Sequence, residues 1–253
     1  MNPPLAKLEE LLRLFHLKRS ADTLSAKLQD AAAHSWSHLQ FLEALFSEEA
    51  AMRHERIVQL RLREAKIPVT KTLDTFDWNH PTAIPKQLIL NAFSFDFVAK
   101  KENFVLVGPS GLGKSHIALA LAFAACQKEI KTRWVNAAEL VNILSASRAD
   151  HSTEKVLKSF AAVPLLVIDE LGFLPLDKEG SDLFFQLISR RYEQGSIVLT
   201  TNRPFKDWGH IFNDNTVASA ILDRLIHHCQ LARLGGKSYR VKNKSEALAH
   251  SAD

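Results

Sequence analysis

Cysteine is scarce in this sequence: two among 253 residues, Cys126 and Cys229, and they form no CxxC pair. That argues against a disulfide framework or a dithiol redox motif and predicts two buried, reduced thiols. Long apolar runs are missing as well, none approaching the roughly 20 residues that a bilayer-spanning helix needs. The opening "MNPPLAKLEELLRLFHLKR" has neither an uninterrupted apolar core nor a small-residue cleavage site. A secretory signal is therefore not expected, and a cytoplasmic location away from membranes is. No strand signal occurs before residue 70, and no internal repeat or low-complexity tract interrupts the chain.

What is present is ordinary for a soluble globular chain, 46% hydrophobic and 24% charged. The length suits one domain of about 180 residues with a smaller attachment, or a single large domain. The net charge of +4 says little by itself, but its distribution is uneven. Arg53 to Lys71 holds six Lys or Arg against two Glu, a net of +4, and Arg224 to Lys244 holds six basic residues and no acidic one, a net of +6. A polyanion is the partner such a pattern suits, and a solvated basic face without a partner is the alternative. The candidate nucleic-acid contacts are Arg53, Arg56, Arg61, Arg63 and Lys66 in the first segment, and Arg233, Lys237, Arg240 and Lys242 in the second.

Helical spacing of Leu5, Leu8, Leu11, Leu12 and Phe15, then of Leu24 and Leu28, predicts two short amphipathic helices. Ser37 with Gln40 three residues on reads as a capping box. It opens one long helix carrying Leu39, Leu42, Leu45, Phe46, Ile57 and Leu60, which ends before Pro68. "PKQLILNAFSFDFVAKK" is expected to be a further helix. Beyond it, "NFVLVG", "TRWVN", "PLLVID" and "SIVLTTN" are short apolar strands separated by helix-length stretches. That alternation predicts an α/β fold with a mostly parallel sheet covered on both faces. "QLARL" and "KSYRV" around Gly235 and Gly236 suggest a hairpin, and the tail is too polar to pack. The expected organisation is a helical N-terminal domain over 1–70, an α/β domain over 71–242 and a polar tail over 243–253.

Directly after the first strand stands "GPSGLGKS": Gly108, Pro109, Ser110, Gly111, Leu112, Gly113, Lys114 and Ser115. It satisfies the phosphate-loop (Walker A) pattern GxxxxGK[ST] in the required strand–loop–helix setting. Glycines let successive backbone N–H groups converge on phosphate oxygens at the positive end of the following helix. Lys114 adds a charge between the outer phosphates, and Ser115 offers a hydroxyl to Mg²⁺. The run "LLVID" delivers Asp169 to the same sheet edge, where it holds the ion through water, and Glu170 beside it is placed to take a proton from an attacking water. "SIVLTTN" brings Asn202 to that edge, suited to orienting the water, although a plain turn residue is the alternative there. ATP and Mg²⁺ are the implied cofactors. "HHC" at 227–229 has metal-ligand residue types without partner ligands in the sequence, so no zinc site is expected.

Together, "GPSGLGKSHIALALA", "LLVIDELGFLPL", "VLTTNRPFKDWGHIF" and "ASAILDRLIHHC" resemble the IstB-like ATP-binding proteins. These are AAA+ helpers of transposases in one family of bacterial insertion sequences, and the chain is similar also to replicative helicase loaders and, more distantly, to the replication initiator. The resemblance implies an AAA+ P-loop NTPase core and an ATPase that assembles as a ring or helical filament of identical subunits on DNA to assist a transposase. A helicase loader is the alternative. It also implies that Arg224 reaches a neighbouring subunit's phosphates, an ion pair with Asp223 being the structural alternative. The short segment after "LDRLIHHC" departs from AAA+ proteins with a helical lid, so no lid arginine is assigned. A small-molecule kinase and an architectural DNA-binding protein that uses ATP only for assembly are the rivals from other classes.

Overall fold

In a computed structural model that describes residues 3–80 and 82–239, the chain divides into two units, 1–60 and 61–253. The first unit is helical: α1 (Pro3–Leu14), α2 (Lys18–Ala33) and most of α3 (His38–Ala65). The capping box forms as expected, with Ser37 N–H donating to Gln40 Oε1 (2.8 Å) and Gln40 N–H to Ser37 Oγ (3.3 Å). Two orphan amides of the first turn are thereby satisfied, and the helix starts where the sequence places it. The core of this unit is small, centred on Leu12, Ala21, Leu24 and Leu45. Leu39, Leu42 and Phe46, on the same predicted apolar stripe, remain exposed.

Residues 85–101 form two short helices rather than one, α4 (Lys86–Ala92) and α5 (Asp96–Ala99). The break has a local cause: Ser94 Oγ accepts the Asp96 N–H (3.2 Å), and Phe95 takes a left-handed conformation, φ +66°. It lets Phe93, Phe95 and Phe97 pack successively, with ring centroids 6.3 and 6.2 Å apart.

The alternating pattern then unfolds as β1 (Asn103–Val107), α6 (Lys114–Gln127), β2 (Thr132–Asn136), α7 (Ala137–Ala149), α8 (Thr153–Ala161), β3 (Leu165–Leu171), α9 (Lys178–Arg191) and β4 (Ser196–Thr201). α10 (Gly209–Phe212), α11 (Asn215–Ile226) and β5 (Cys229–Arg233) complete it. The sheet order is β2-β3-β4-β1-β5, and every pairing is parallel. Val105, Leu166, Ile168, Ile197 and Leu199 point into one apolar layer, Phe104, Leu106, Leu165, Val167 and Val198 into the other. Both faces being covered is why these strands read as continuous apolar runs.

The expected hairpin at Gly235–Gly236 does not form among the described residues. β5 pairs parallel with β1, from Asn103↔Cys229 to Val107↔Arg233. Gly235 then exchanges two backbone hydrogen bonds with Ala83 (2.8 and 3.1 Å) instead of turning the chain back on itself. A parallel edge place beside β1 was open to "CQLAR", and it satisfies more backbone groups than a two-stranded ribbon would. Residues 240 and 241 of the expected second arm lie outside the described residues.

Candidate nucleotide site

The order of strands places β4 between β1 and β3, so the chain's own crossovers open a crevice beyond their carboxyl ends. The loop 108–113 leaves β1 there and enters α6 through Gly113, whose φ of +83° is open to glycine at little cost. No side chain caps α6, so its first-turn N–H groups face the crevice without a competing acceptor. A methyl group on Gly113 would lie 2.5 Å from Phe76 Cε2, and one on Gly111 would overlap Ser238 Oγ. The loop is therefore held between the linker before β1 and the segment after β5.

Lys114 is 7% exposed, and its Nζ donates to the carbonyl of Pro109 in its own loop (2.7 Å). Ser115 Oγ donates to Asp169 Oδ1 (2.9 Å), which joins the helix start to the end of β3. Ser110, Gly111, Gly113, Lys114 and Ser115 line a cleft of about 270 Å³ together with Glu170, Thr200, Thr201 and Asn202. Three members of the motif lie off this wall. Leu112 is buried in the core at 1% exposure, Gly108 abuts the backbone of Leu234, and Pro109 contributes its carbonyl to Lys114.

Asp169 and Glu170 sit at a break in strand register. Ile168 pairs with Leu199 and Leu171 with Thr201, so two residues of β3 face one residue of β4, Thr200. This is a β-bulge, and Glu170 has φ +63°, a conformation that costs a non-glycine residue of order 1–3 kcal/mol. The Thr200 hydroxyl supports it by accepting the Glu170 N–H (2.9 Å) while donating to Asp169 Oδ1. On the other side, Asn136 at the end of β2 donates its Nδ2–H to Glu170 Oε2 (2.8 Å) and caps α7 through Oδ1. The second carboxylate is thus aimed by three elements. Asn202 lines the cleft, and its Oδ1 is buried with no hydrogen-bond partner among the described residues.

Sequence reasoning missed Asn136, Lys71, His116 and Tyr239. Lys71, counted in the basic run, lines the cleft. His116 Nε2 bonds the Thr72 carbonyl (2.8 Å), and Tyr239 N–H donates to the Gly111 carbonyl (2.9 Å). Beside the loop lies a second hollow of about 90 Å³, walled by Phe76, His80, His116 and Tyr239 among others.

Arg224 does not join this cleft. Its guanidinium lies over the Phe185 ring (4.9 Å) and donates to the Ala220 carbonyl (2.9 Å). Among the described residues it makes no ion pair, with Asp223 or any other acid. Of the candidate nucleic-acid contacts, Arg53 is tied to Glu49 (3.1 Å) and the His16 carbonyl (2.9 Å), and Arg61 to Glu64 (3.2 Å). Arg56, Arg63, Lys66, Arg233 and Lys237 are exposed, while Arg240 and Lys242 lie outside the described residues. Arg233 closes β5 at the carboxyl end of the sheet, next to Val107. The "HHC" segment does find a neighbour: Glu193 Oε1 is 3.4 Å from His228 Nε2, and the ligand atoms of Glu193, His227 and His228 lie within 4.8 Å of one another. Both cysteines are reduced; Cys126 is buried as expected, while Cys229, at the start of the edge strand β5, is only half-buried, and desolvation pushes the Cys126 thiol up to about 11 and the Cys229 thiol up to about 12. No helix among the described residues is long and apolar enough to cross a membrane.

The chain is similar to a putative ATP-binding protein of insertion sequence IS5376 from Geobacillus stearothermophilus, 36% identical over 94% of this chain and 95% of that one. It is also similar to the putative ATP-binding protein of insertion sequence IS21 from Pseudomonas aeruginosa, 35% identical over 95% and 91%. In fold it resembles the replication initiator DnaA (TM-score 0.56, 18% identity, 71% of this chain and 54% of that one) and the DnaC helicase loader (0.51, 22%, 64% and 96%). These likenesses show an AAA+ P-loop fold and, at such identity, the fold alone. The profile of the IstB-like ATP binding proteins matches residues 6–247, and the chain belongs to that family.

Proposed function

We propose that this protein is a Mg²⁺-dependent ATPase that assembles on DNA and assists a transposase. One observation carries the catalytic part. Ser115 Oγ and Asp169 Oδ1 lie 2.9 Å apart, at the start of α6 and the end of β3, beside a cleft that Lys114 and Glu170 line. The uncapped helix start and loop amides bind the phosphates, and Lys114 turns from the Pro109 carbonyl to their charge. Two hard oxygen donors, one of them anionic, fit Mg²⁺, so Ser115 and Asp169 would hold the ion, which when bound neutralises charge on the phosphates. Glu170, with Oε2 held by Asn136, accepts a proton from water as its oxygen bonds to the γ-phosphorus and the bond to the β–γ bridging oxygen breaks. ATP and water thereby give ADP and phosphate. Asn202, on the cleft wall, suits orienting that water, and the aromatic hollow beside the loop suits the base.

Arg224 lies outside its own chain's cleft, the placement an arginine needs if it serves a neighbour's phosphates in a head-to-tail ring or filament. In this reading residues 1–70 contact DNA or a partner and 71–242 form the ATPase domain. Relatives from insertion sequences at 35–36% identity support a transposase as partner. The likeness of fold to a helicase loader keeps helicase delivery as the second reading. Electron microscopy of the protein with DNA and a slowly hydrolysed ATP analogue tests assembly: an ordered oligomer that Lys114→Ala disperses is expected, and a monomer in every condition overturns it. Copurification with a transposase or a helicase separates the two readings.

A further inference from the structure

A concavity of about 290 Å³ lies at the leading end of β2, where Arg63, Lys66, Lys131 and Arg133 meet Ser159. Among the described residues no carboxylate pairs with any of these four cations. The one acid on its wall, Glu64, is engaged by Arg61 (3.2 Å). The C-terminus of α3 contributes about half a negative charge, which leaves the hollow strongly positive. Arg133 is its fixed element. Its guanidinium lies over the Phe160 ring (5.3 Å), and its Nε is buried with no hydrogen-bond partner. A guanidinium whose plane is fixed by stacking, flanked by the exposed ammonium groups of Lys66 and Lys131, is donor chemistry for a phosphodiester. Lys66 is held at the rim by a left-handed backbone, φ +54°.

We propose that this hollow is a seat for the DNA backbone, with Lys131 and Arg133 as phosphate contacts that the basic-segment reading of the sequence did not contain. The inference rests on the DNA reading above and sharpens it. β2 begins at Thr132 beside this hollow and ends at Asn136, whose amide holds Glu170. Over the three residues from Arg133 to Asn136 the two sites are separated by about 10 Å along the strand. Arg233, at the carboxyl end of β5, stands at the other end of the sheet. The two basic segments of the sequence are therefore not one surface, and the seat belongs to the first.

The test is fluorescence anisotropy of a labelled duplex across a salt series, with the full chain, Lys131→Ala, Lys131→Ala/Arg133→Gln and, as comparator, Lys178→Ala at the start of α9. Each phosphate contact contributes about 0.9 to the slope of log affinity against log salt, so the double variant should lose about 1.8. At 0.1 M salt that corresponds to roughly 60-fold weaker binding, with the contacts contributing nothing at 1 M. Lys131→Ala removes an exposed lysine and should lose half the slope change with an unchanged unfolding midpoint. Lys178→Ala, at an exposed lysine in neither basic segment, should change neither slope nor affinity by more than about twofold. A double variant with wild-type affinity and slope overturns this seat and leaves the DNA reading standing, as does weaker binding with an unchanged slope. Wild-type protein that binds no duplex overturns both.

Discussion

Arg191→Met probes the part of the fold that positions both strands of the site. Arg191 is 1% exposed and, among the described residues, has no carboxylate partner. Its guanidinium donates instead to the carbonyls of Phe160 (2.7 Å), Val163 (2.9 Å) and Ser196 (2.6 Å), with longer contacts to Ala161 (3.2 Å) and Pro164 (3.4 Å). It thus fastens the end of α8 and the entry to β3 to the first residue of β4, the strands that carry Asp169 and Thr200. Burial pushes the guanidinium down to about 10, so it stays charged at neutral pH. Relative to the usual 12.5, that desolvation costs on the order of 3 kcal/mol, which removing the charge recovers. Against it stand three short hydrogen bonds from a charged donor at about 1.5–3 kcal/mol each. The balance is a loss of about 3 kcal/mol, or roughly 6–12 °C in unfolding midpoint for a domain of this size. Differential scanning calorimetry reads it directly. A midpoint within about 2 °C of wild type would refute the reasoning, because the carbonyls would then have found other partners.

Gly113→Ala should weaken ATP binding by about tenfold or more in a titration, since a left-handed alanine costs about 1–2 kcal/mol before its methyl meets Phe76. Unchanged affinity would mean that the loop does not hold its conformation in the complex. For the cysteines the sign is simple: a thiol pushed up to about 11 or 12 by burial is protonated at pH 8, and the thiolate needed for alkylation appears only near those values. Neither Cys126 nor Cys229 should react with iodoacetamide at pH 8 until denaturant is added, and mass spectrometry of the folded protein checks this.

The phosphate loop was legible because all its chemistry is local: glycines, lysine and serine stand in one run, and their roles follow from spacing. The four strands before residue 202 were legible because two covered faces force continuous apolar runs. Asn136 was not, because its role depends on β2 lying beside β3, a pairing that no local pattern states. The bulge at Asp169–Glu170 was hidden for the same reason, since it exists only in register with Thr200. "QLARL" suggested a hairpin because two glycines follow it, yet the open edge of β1 proved the better partner. Lys71 was read with its basic neighbours, and only the path of the linker carries it to the cleft. Arg133 escaped because its significance lies in stacking on Phe160, distant in sequence.

The central claim is that Glu170, aimed by the bulge, Thr200 and Asn136, activates water at a phosphate site that binds ATP without it. Glu170→Gln keeps the shape and an acceptor for Asn136 but cannot take the proton. Measured side by side, ATP affinity should stay within about threefold of wild type while single-turnover hydrolysis falls by roughly 10² to 10⁴. Hydrolysis by Glu170→Gln within tenfold of the wild-type rate would contradict the account.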